Sequence, residues 1–301
     1  MNILISLTGF LMAMADTMPG LSGGTICFIM GFYDQFLTSI KNLLYKETRT
    51  QAILFLVKMG VGWLVGLVVG VLVISKLLQN YPYMMISFFL GLVLVSIPVT
   101  FKEETKHLKH LPDLIFLAIG LIIVVALSSF GSGLSLDFST SIPLWFYAYA
   151  FIVAMIAISA MLLPGVSGST VLLIFGIYTV IINNLKALLT NFNFAAFSLL
   201  VVFGIGIIVG AFSISKVISN AFKHHRGKVL YFIMGLMIGS LYAIYISAPL
   251  LGKDTGEVIA PFSMRNFNII AFIIGICAII CIEFIKNVLN KKDNNEFKKF
   301  I

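Results

Sequence analysis

Long apolar runs separated by short polar stretches dominate this chain of 301 residues. Each run is roughly as long as the ~20 residues that a helix needs to cross a bilayer. The pattern predicts an all-α polytopic membrane protein with about ten apolar segments. The runs lie at 2–17, 21–44, 52–78, 83–100, 111–130, 144–163, 166–189, 195–219, 229–250 and 267–289.

The overall composition excludes several other classes of protein. Apolar residues make up 60% of the chain and charged residues 11%, against about 45–50% and about 25% in ordinary soluble domains. A single water-soluble core cannot bury so many apolar residues. Ten apolar segments joined by short loops also leave no room for a soluble catalytic domain. We expect neither a disordered protein nor a nucleic-acid partner.

The basic residues predict the orientation of the chain. The formal net charge is +8, and Lys and Arg gather at 46–51, 102–110, 223–228 and 291–301. The stretches 79–82, 131–141 and 190–194 contain no Lys or Arg. Because cytoplasmic loops collect basic residues, we expect both termini to be cytoplasmic. The loop at 252–266 is the exception, since it carries Lys253 and Arg265.

The chain contains an internal repeat. Residues 19–44 read PGLSGGTICFIMGFYDQFLTSIKNLL, and residues 164–189 read PGVSGSTVLLIFGIYTVIINNLKALL. Two further matches follow in the same order, 66–80 with 206–220 and 88–96 with 232–240. We therefore expect two homologous halves, 1–130 and 140–290, followed by a basic cytoplasmic tail at 291–301.

Five apolar segments in each half predict opposite orientations of the two halves. An odd number of crossings turns the second copy upside down, which gives the inverted-topology repeat of secondary transporters, with a site near the midplane. Pro and Gly interrupt each apolar pair without a long exit loop. We therefore expect paired broken or re-entrant helices that meet near the midplane; full spans would give the same parity.

The duplicated motif PGxSG(G/S)T has the chemistry of an anion site. A glycine-rich turn that opens a helix presents unpaired N–H groups together with the positive end of the helix dipole. Serine and threonine hydroxyls add donors, although close helix packing and simple N-capping are alternatives. The candidate phosphate-binding residues are Gly20, Ser22, Gly23, Gly24, Thr25, Gly165, Ser167, Gly168, Ser169 and Thr170.

Two charged residues within the apolar runs are further candidates. Asp16 precedes the first motif, and its repeat mate is Met161. A charge at this depth costs roughly 2.5–3.5 kcal/mol on insertion scales. Asp16 either exchanges a coupling proton or cation, or caps the neighbouring turn. Lys58 either reaches a bound phosphate or extends to the membrane surface. No cluster with metal-ligand spacing is present, so we expect neither metal nor cofactor.

The pairing of ADTMPGLSGGT with LLPGVSGST resembles the DUF368 family of bacterial polyprenyl-phosphate (undecaprenyl-phosphate) translocases. This resemblance implies a transporter, not an enzyme, that moves the lipid carrier between the leaflets of the cytoplasmic membrane. The implied role is recycling of the carrier for peptidoglycan synthesis. The implied partners are polyprenyl phosphate and membrane lipids.

The residues alone leave other functions open. They define no more than an inverted-repeat transporter with an anion site. One alternative is a secondary transporter of a small soluble anion. Another is an intramembrane enzyme that acts on polyprenyl phosphates, although the nucleophilic His or paired carboxylates that such chemistry needs do not lie beside the motifs.

Overall fold

All of the regular structure that we describe is helical. The computed structural model describes residues 2–17, 22–102, 111–129, 143–190, 193–248 and 259–299. A 3₁₀ turn at Leu111–Asp113 precedes α7. The helices are α1 (Asn2–Asp16), α2 (Gly23–Ile29), α3 (Tyr33–Asn42), α4 (Arg49–Val69), α5 (Ser75–Asn80), α6 (Pro82–Lys102), α7 (Leu114–Ser129), α8 (Leu144–Leu162), α9 (Gly168–Ile174), α10 (Tyr178–Thr190), α11 (Phe194–Tyr245) and α12 (Ile269–Lys299).

Four helices in the described ranges are long and apolar enough to cross a membrane, or five if the bent pair formed by α9 and α10 counts as one span. Shorter apolar helices lie at Ile3–Asp16, Leu114–Ser129 and Ile269–Phe284. Many large apolar side chains point outward, and Leu64 on α4 is 60% exposed. Such an outer surface suits lipid rather than water. The chain is therefore a multi-pass membrane protein.

The polar stretch at 223–228 interrupts the helical structure less than the sequence indicates. Residues 223–228, which the pattern assigns to a loop, lie inside α11, where His225 alone leaves helical geometry (φ −138°, ψ 45°). A single residue outside the helical region is enough to kink the backbone there. Between α4 and α5, a π-helical turn at Gly70–Ile74 keeps the chain helical. Residues 291–299, in the predicted tail, continue α12.

The apolar run after each copy of the motif is bent a second time. Gly31 separates α2 from α3 with φ +78°, and Gly176 separates α9 from α10 with φ +68°. Glycine adopts such backbone angles without a Cβ penalty. The axes of α9 and α10 are bent by 106° relative to each other. Each predicted segment is thus two short helices joined at a glycine.

Glycines allow the backbones of the long helices to touch. A Cβ at Gly66 of α4 would collide with the carbonyl oxygen of Phe10 on α1, and one at Gly206 of α11 would lie 2.6 Å from the carbonyl oxygen of Phe151 on α8. Small residues at such crossings are typical of membrane helices, which associate by close packing. These contacts hold α1 against α4 and α8 against α11, so both motifs emerge from fixed positions.

Candidate functional site

The first motif opens α2 by capping its own backbone. Ser22 is the N-cap residue and adopts extended geometry (φ −125°, ψ 138°). Its Oγ accepts a hydrogen bond from the Gly24 N–H at 3.1 Å, and its carbonyl oxygen accepts one from the Thr25 N–H at 2.9 Å. Serine favours this position because its hydroxyl replaces a missing helical acceptor. The preceding Gly20 lies outside the described residues.

Asp16 accepts a hydrogen bond at the same helix N-terminus, where the first N–H groups have no helical acceptor. Its Oδ1 accepts a hydrogen bond from the Gly23 N–H at 2.7 Å, across seven residues of chain. Its Oδ2 accepts a longer one, 3.4 Å, from the indole Nε1 of Trp63 on α4. The carboxylate therefore occupies the position at which a bound anion would meet the first turn of α2. This contact has the geometry of a cap, one of the two roles that the sequence leaves open.

The two copies of the motif meet directly. The backbone N–H of Gly165 donates a hydrogen bond to Thr25 Oγ1 at 2.8 Å. Thr25 is completely buried. A residue of the first copy is thus the acceptor for a residue of the second copy 140 positions further along the chain. The two motif segments are therefore in direct contact at this bond.

Two hydroxyl groups of the first half satisfy the end of α8. Tyr33 donates to the carbonyl oxygen of Leu162 at 3.0 Å. The Ser22 hydroxyl donates to two carbonyl oxygens, that of Met161 at 3.2 Å and that of Leu163 at 3.4 Å. The last carbonyls of a helix lack helical partners, and a membrane offers few alternatives. These bonds fix α2 and α3 against the end of α8.

The second motif has a different arrangement at its helix end. Ser167 is the N-cap residue of α9 but makes no capping bond with its side chain. Its Oγ instead pairs with the Oγ of Ser169 at 2.8 Å. A Cβ at Gly168 would lie 3.1 Å from the carbonyl oxygen of Ala157 on α8. Thr170, two residues after Gly168 on α9, is half-buried.

A cavity of about 230 Å³ lies beside the N-terminus of α2. Asp16 is the one ionisable side chain among the described residues that line it, and the rest of its wall is apolar side chains and glycine backbone. Four helices of the first half and α8 of the second half contribute to this wall. The lining residues are Met12, Asp16, Gly23, Gly24, Phe36, Leu56, Met59, Gly60, Trp63, Ile158, Met161 and Leu162.

The structure brings three of the candidate residues to the cavity, and the other candidates in the described ranges do not line it. Asp16, Gly23 and Gly24 share the cavity, whereas Lys58 is half-buried on α4 and is not among the described lining residues. The Ser6 hydroxyl donates to the backbone carbonyl of Lys58 at 3.0 Å. No group of three His, Cys, Asp or Glu residues in the described ranges could hold a metal ion.

The candidate site residues from the sequence include neither Trp63 nor Tyr33. Trp63 carries no motif, and only its contact with Asp16 shows its place at the site. For Tyr33 a signal existed, because Tyr33 and its repeat mate Tyr178 both stand two residues after an aligned glycine. The bend at that glycine places the Tyr33 hydroxyl against α8.

These features define a class, an all-helical multi-pass membrane protein whose two copies of a glycine-serine motif are joined inside the fold. The model of the VCA0040-like family, described as undecaprenyl phosphate translocase-like, matches residues 12–258. The chain therefore belongs to this family.

Two curated relatives are both named polyprenyl-phosphate transporter. The protein from Vibrio cholerae is 32% identical over 277 residues, which cover 87% of this chain and 84% of the relative. The protein from Staphylococcus aureus is 32% identical over 253 residues, which cover 81% of this chain and 86% of the relative. No solved structure matches the chain significantly.

Proposed function

We propose that this protein moves polyprenyl phosphate, and undecaprenyl phosphate in particular, between the leaflets of the bacterial cytoplasmic membrane. The phosphate headgroup binds between the paired motifs while the prenyl chain stays in the membrane. The names of both relatives support the substrate. The observation that carries the proposal is the bond between Thr25 and Gly165, because it joins the two candidate anion-binding turns inside one site.

In this mechanism the phosphate takes the place of the Asp16 carboxylate. Gly23 and Gly24 face the cavity, and the Gly23 N–H donates to Asp16. A phosphate oxygen accepts from the same N–H group. The Ser22 hydroxyl turns from the carbonyl oxygens at the end of α8 to the phosphate, and the hydroxyls of Ser167, Ser169 and Thr170 complete the headgroup site. Charge-assisted hydrogen bonds of this kind are stronger than neutral ones. Because two anions cannot share one donor without repulsion, binding of the headgroup releases Asp16.

The released carboxylate is the coupling group in this mechanism. When freed from Gly23, Asp16 takes up a proton or a cation, because an isolated charge in an apolar cavity is costly. Return of Asp16 to the end of α2 then expels the phosphate. The position has no carboxylate in the second repeat, where Met161 stands instead. This asymmetry puts the coupling group in one half only, where it favours one access state over the other.

An inverted repeat supports alternating access from the two sides. Gly91 and Gly235, with Phe88 and Phe232, are repeat mates in the matched segments 88–96 and 232–240. A Cβ at Gly91 would collide with the carbonyl of Phe272 on α12, and a Cβ at Gly235 would collide with that of Leu117 on α7. Thus α6 of the first half packs on α12 of the second half in the same way as α11 of the second half packs on α7 of the first half.

Glycines of the partner helices α12 and α7 also lie directly against the backbones of α6 and α11. A Cβ at Gly275 of α12 would collide with the carbonyl oxygen of Phe88, and one at Gly120 of α7 would collide with that of Phe232. Equivalent glycines in the two halves therefore make equivalent crossings.

We assign the halves to 1–130 and 140–290, with opposite orientation, re-entrant motif helices and cytoplasmic termini. The protein returns the carrier for peptidoglycan synthesis.

Proteoliposomes test this proposal against transport of a soluble anion. Purified protein is reconstituted, and the crossing of undecaprenyl phosphate and the uptake of inorganic phosphate are measured in the same vesicles. The proposal expects lipid crossing above the rate in protein-free vesicles and no protein-dependent uptake of inorganic phosphate. Uptake of inorganic phosphate without lipid crossing would favour the soluble-anion transporter instead. Release of inorganic phosphate from the lipid would favour an enzyme.

A further inference from the structure

We infer that the cavity beside Asp16 binds the isoprene units nearest the phosphate and selects a methyl-branched prenyl chain over a straight alkyl chain. This inference rests on the proposed function, since it names the part of the substrate that the cavity holds. The proposed phosphate donor Gly23 is one of the residues that line the cavity. The first carbons of the lipid are one bond from a phosphate oxygen, so they must occupy the adjoining space.

The wall of the cavity has the chemistry for an apolar chain. Apart from Asp16, its side chains are apolar, and Met12, Met59 and Met161 come from three different helices. Methionine side chains adapt to irregular shapes and make favourable contacts with polarisable groups. The flat ring of Trp63 lies in the same wall and contributes a large apolar surface. A chain with methyl branches and double bonds fills such an irregular space better than a straight saturated chain.

Gly60 leaves the cavity open on the α4 side. It lines the cavity, and a Cβ built there would have no atom within 4 Å. A larger side chain at this position therefore enters free space without displacing the backbone of another helix. Gly204 on α11 is equally open, with no atom within 4 Å of a Cβ, and it is not among the residues that line the cavity. The two glycines form a matched pair for substitution.

The test compares Gly60→Leu with Gly204→Leu in the purified full-length protein. Farnesyl phosphate and dodecyl phosphate, which have the same main-chain length, compete with labelled undecaprenyl phosphate for binding. In the wild type, farnesyl phosphate should compete more strongly than dodecyl phosphate. Gly60→Leu should weaken farnesyl phosphate by about tenfold, which corresponds to about 1.4 kcal/mol, and should remove its advantage over dodecyl phosphate. Gly204→Leu should match the wild type.

Each other outcome overturns a specific statement. If Gly60→Leu and Gly204→Leu retain the same preference for farnesyl phosphate, the cavity does not bind the prenyl chain, and the proposed function stands. If the wild type binds undecaprenyl phosphate but does not distinguish farnesyl from dodecyl phosphate, the selectivity is wrong. If the wild type does not bind undecaprenyl phosphate at all, the proposed function fails and this inference fails with it.

A second measurement covers the case in which Gly60→Leu does not fold. Gly60→Cys and Gly204→Cys are made with the exposed Cys277 and Cys281 replaced by alanine; the remaining Cys27 is buried. Farnesyl phosphate should slow the reaction of N-ethylmaleimide with Gly60→Cys several-fold and leave that of Gly204→Cys unchanged. Equal rates with and without farnesyl phosphate at Gly60→Cys would overturn the inference.

Discussion

The side chain of Thr25 accepts a hydrogen bond from the backbone N–H of Gly165 at 2.8 Å, and the two residues belong to different copies of one motif. Thr25 is completely buried and Gly165 is buried. Because both residues are buried, neither group can exchange this bond for one to bulk water. The contact therefore ties the two halves of the chain together at the candidate site.

Thr25→Val should destabilise the protein, whereas Thr25→Ser should be close to the wild type. Valine has nearly the same shape as threonine but leaves the buried Gly165 N–H without its acceptor, at a cost of about 1–3 kcal/mol. Serine keeps the oxygen. Thermal unfolding of the two variants in the same detergent measures the difference. Equal unfolding midpoints would show that the bond does not hold the motifs together.

Gly91→Ala and Gly235→Ala should each destabilise the fold, on the order of 1–3 kcal/mol as for other overpacked positions. The new Cβ would collide with the carbonyl oxygens of Phe272 and Leu117, respectively. Gly204→Ala is the control, because its Cβ would meet no atom within 4 Å. Alanine is the better helix former by about 1 kcal/mol, so the control should be unchanged or more stable. Unfolding midpoints that rank Gly204→Ala below the other two would contradict the packing described here.

Arg226→Gln should have a small effect on stability. Arg226 forms an ion pair of 3.0 Å with Asp34, which links α11 to α3. The side chains are 33% and 48% exposed, and exposed pairs are worth about 0–1 kcal/mol because solvent screens them. We expect a smaller drop in the unfolding midpoint than Thr25→Val gives. A larger drop would place the main link between the halves at the ion pair instead of at the motifs.

Asp16→Asn should keep binding of the headgroup and lose the response of transport to an imposed pH gradient. An asparagine oxygen still accepts from Gly23, so the cap survives, but the amide cannot take up a proton. Binding of undecaprenyl phosphate and its crossing rate, with and without the gradient, are measured on the same preparation. If the variant transports normally and still responds to the gradient, Asp16 is structural and the coupling proposal is wrong.

Much of the fold could be predicted from the sequence, because the length and apolar composition of a segment identify a membrane helix. The apolar runs correspond to helices, and the duplicated motif locates both helix openings. The kink at His225 could not be read in the same way, since a short basic stretch is compatible with either a loop or a bent helix. The second bend lies at Gly31 and Gly176, which the repeat aligns with each other. Their positive φ angles, which produce the bend, are seen only in the structure.

The candidate site was less predictable, because its contacts join residues far apart in the chain. The motif spacing indicates donors at the end of α2, but not that Asp16 already accepts from Gly23. The contribution of Trp63 depends on how α4 crosses α1, which a tryptophan in an apolar run does not reveal. Local chemistry is therefore visible in the sequence, whereas the partners that complete it are set by packing.

The crossing rate of undecaprenyl phosphate in proteoliposomes tests the central claim most directly. Wild-type protein is compared with the Ser22→Ala, Ser167→Ala double variant at equal incorporation, after both are shown to be folded. The wild type should exceed protein-free vesicles by at least about tenfold, and the variant should fall close to the background. The reason is that each lost hydrogen bond to a charged group removes about 1.5–3 kcal/mol. A wild-type rate no higher than that of protein-free vesicles, or a double variant as fast as the wild type, would contradict transport through the paired motifs.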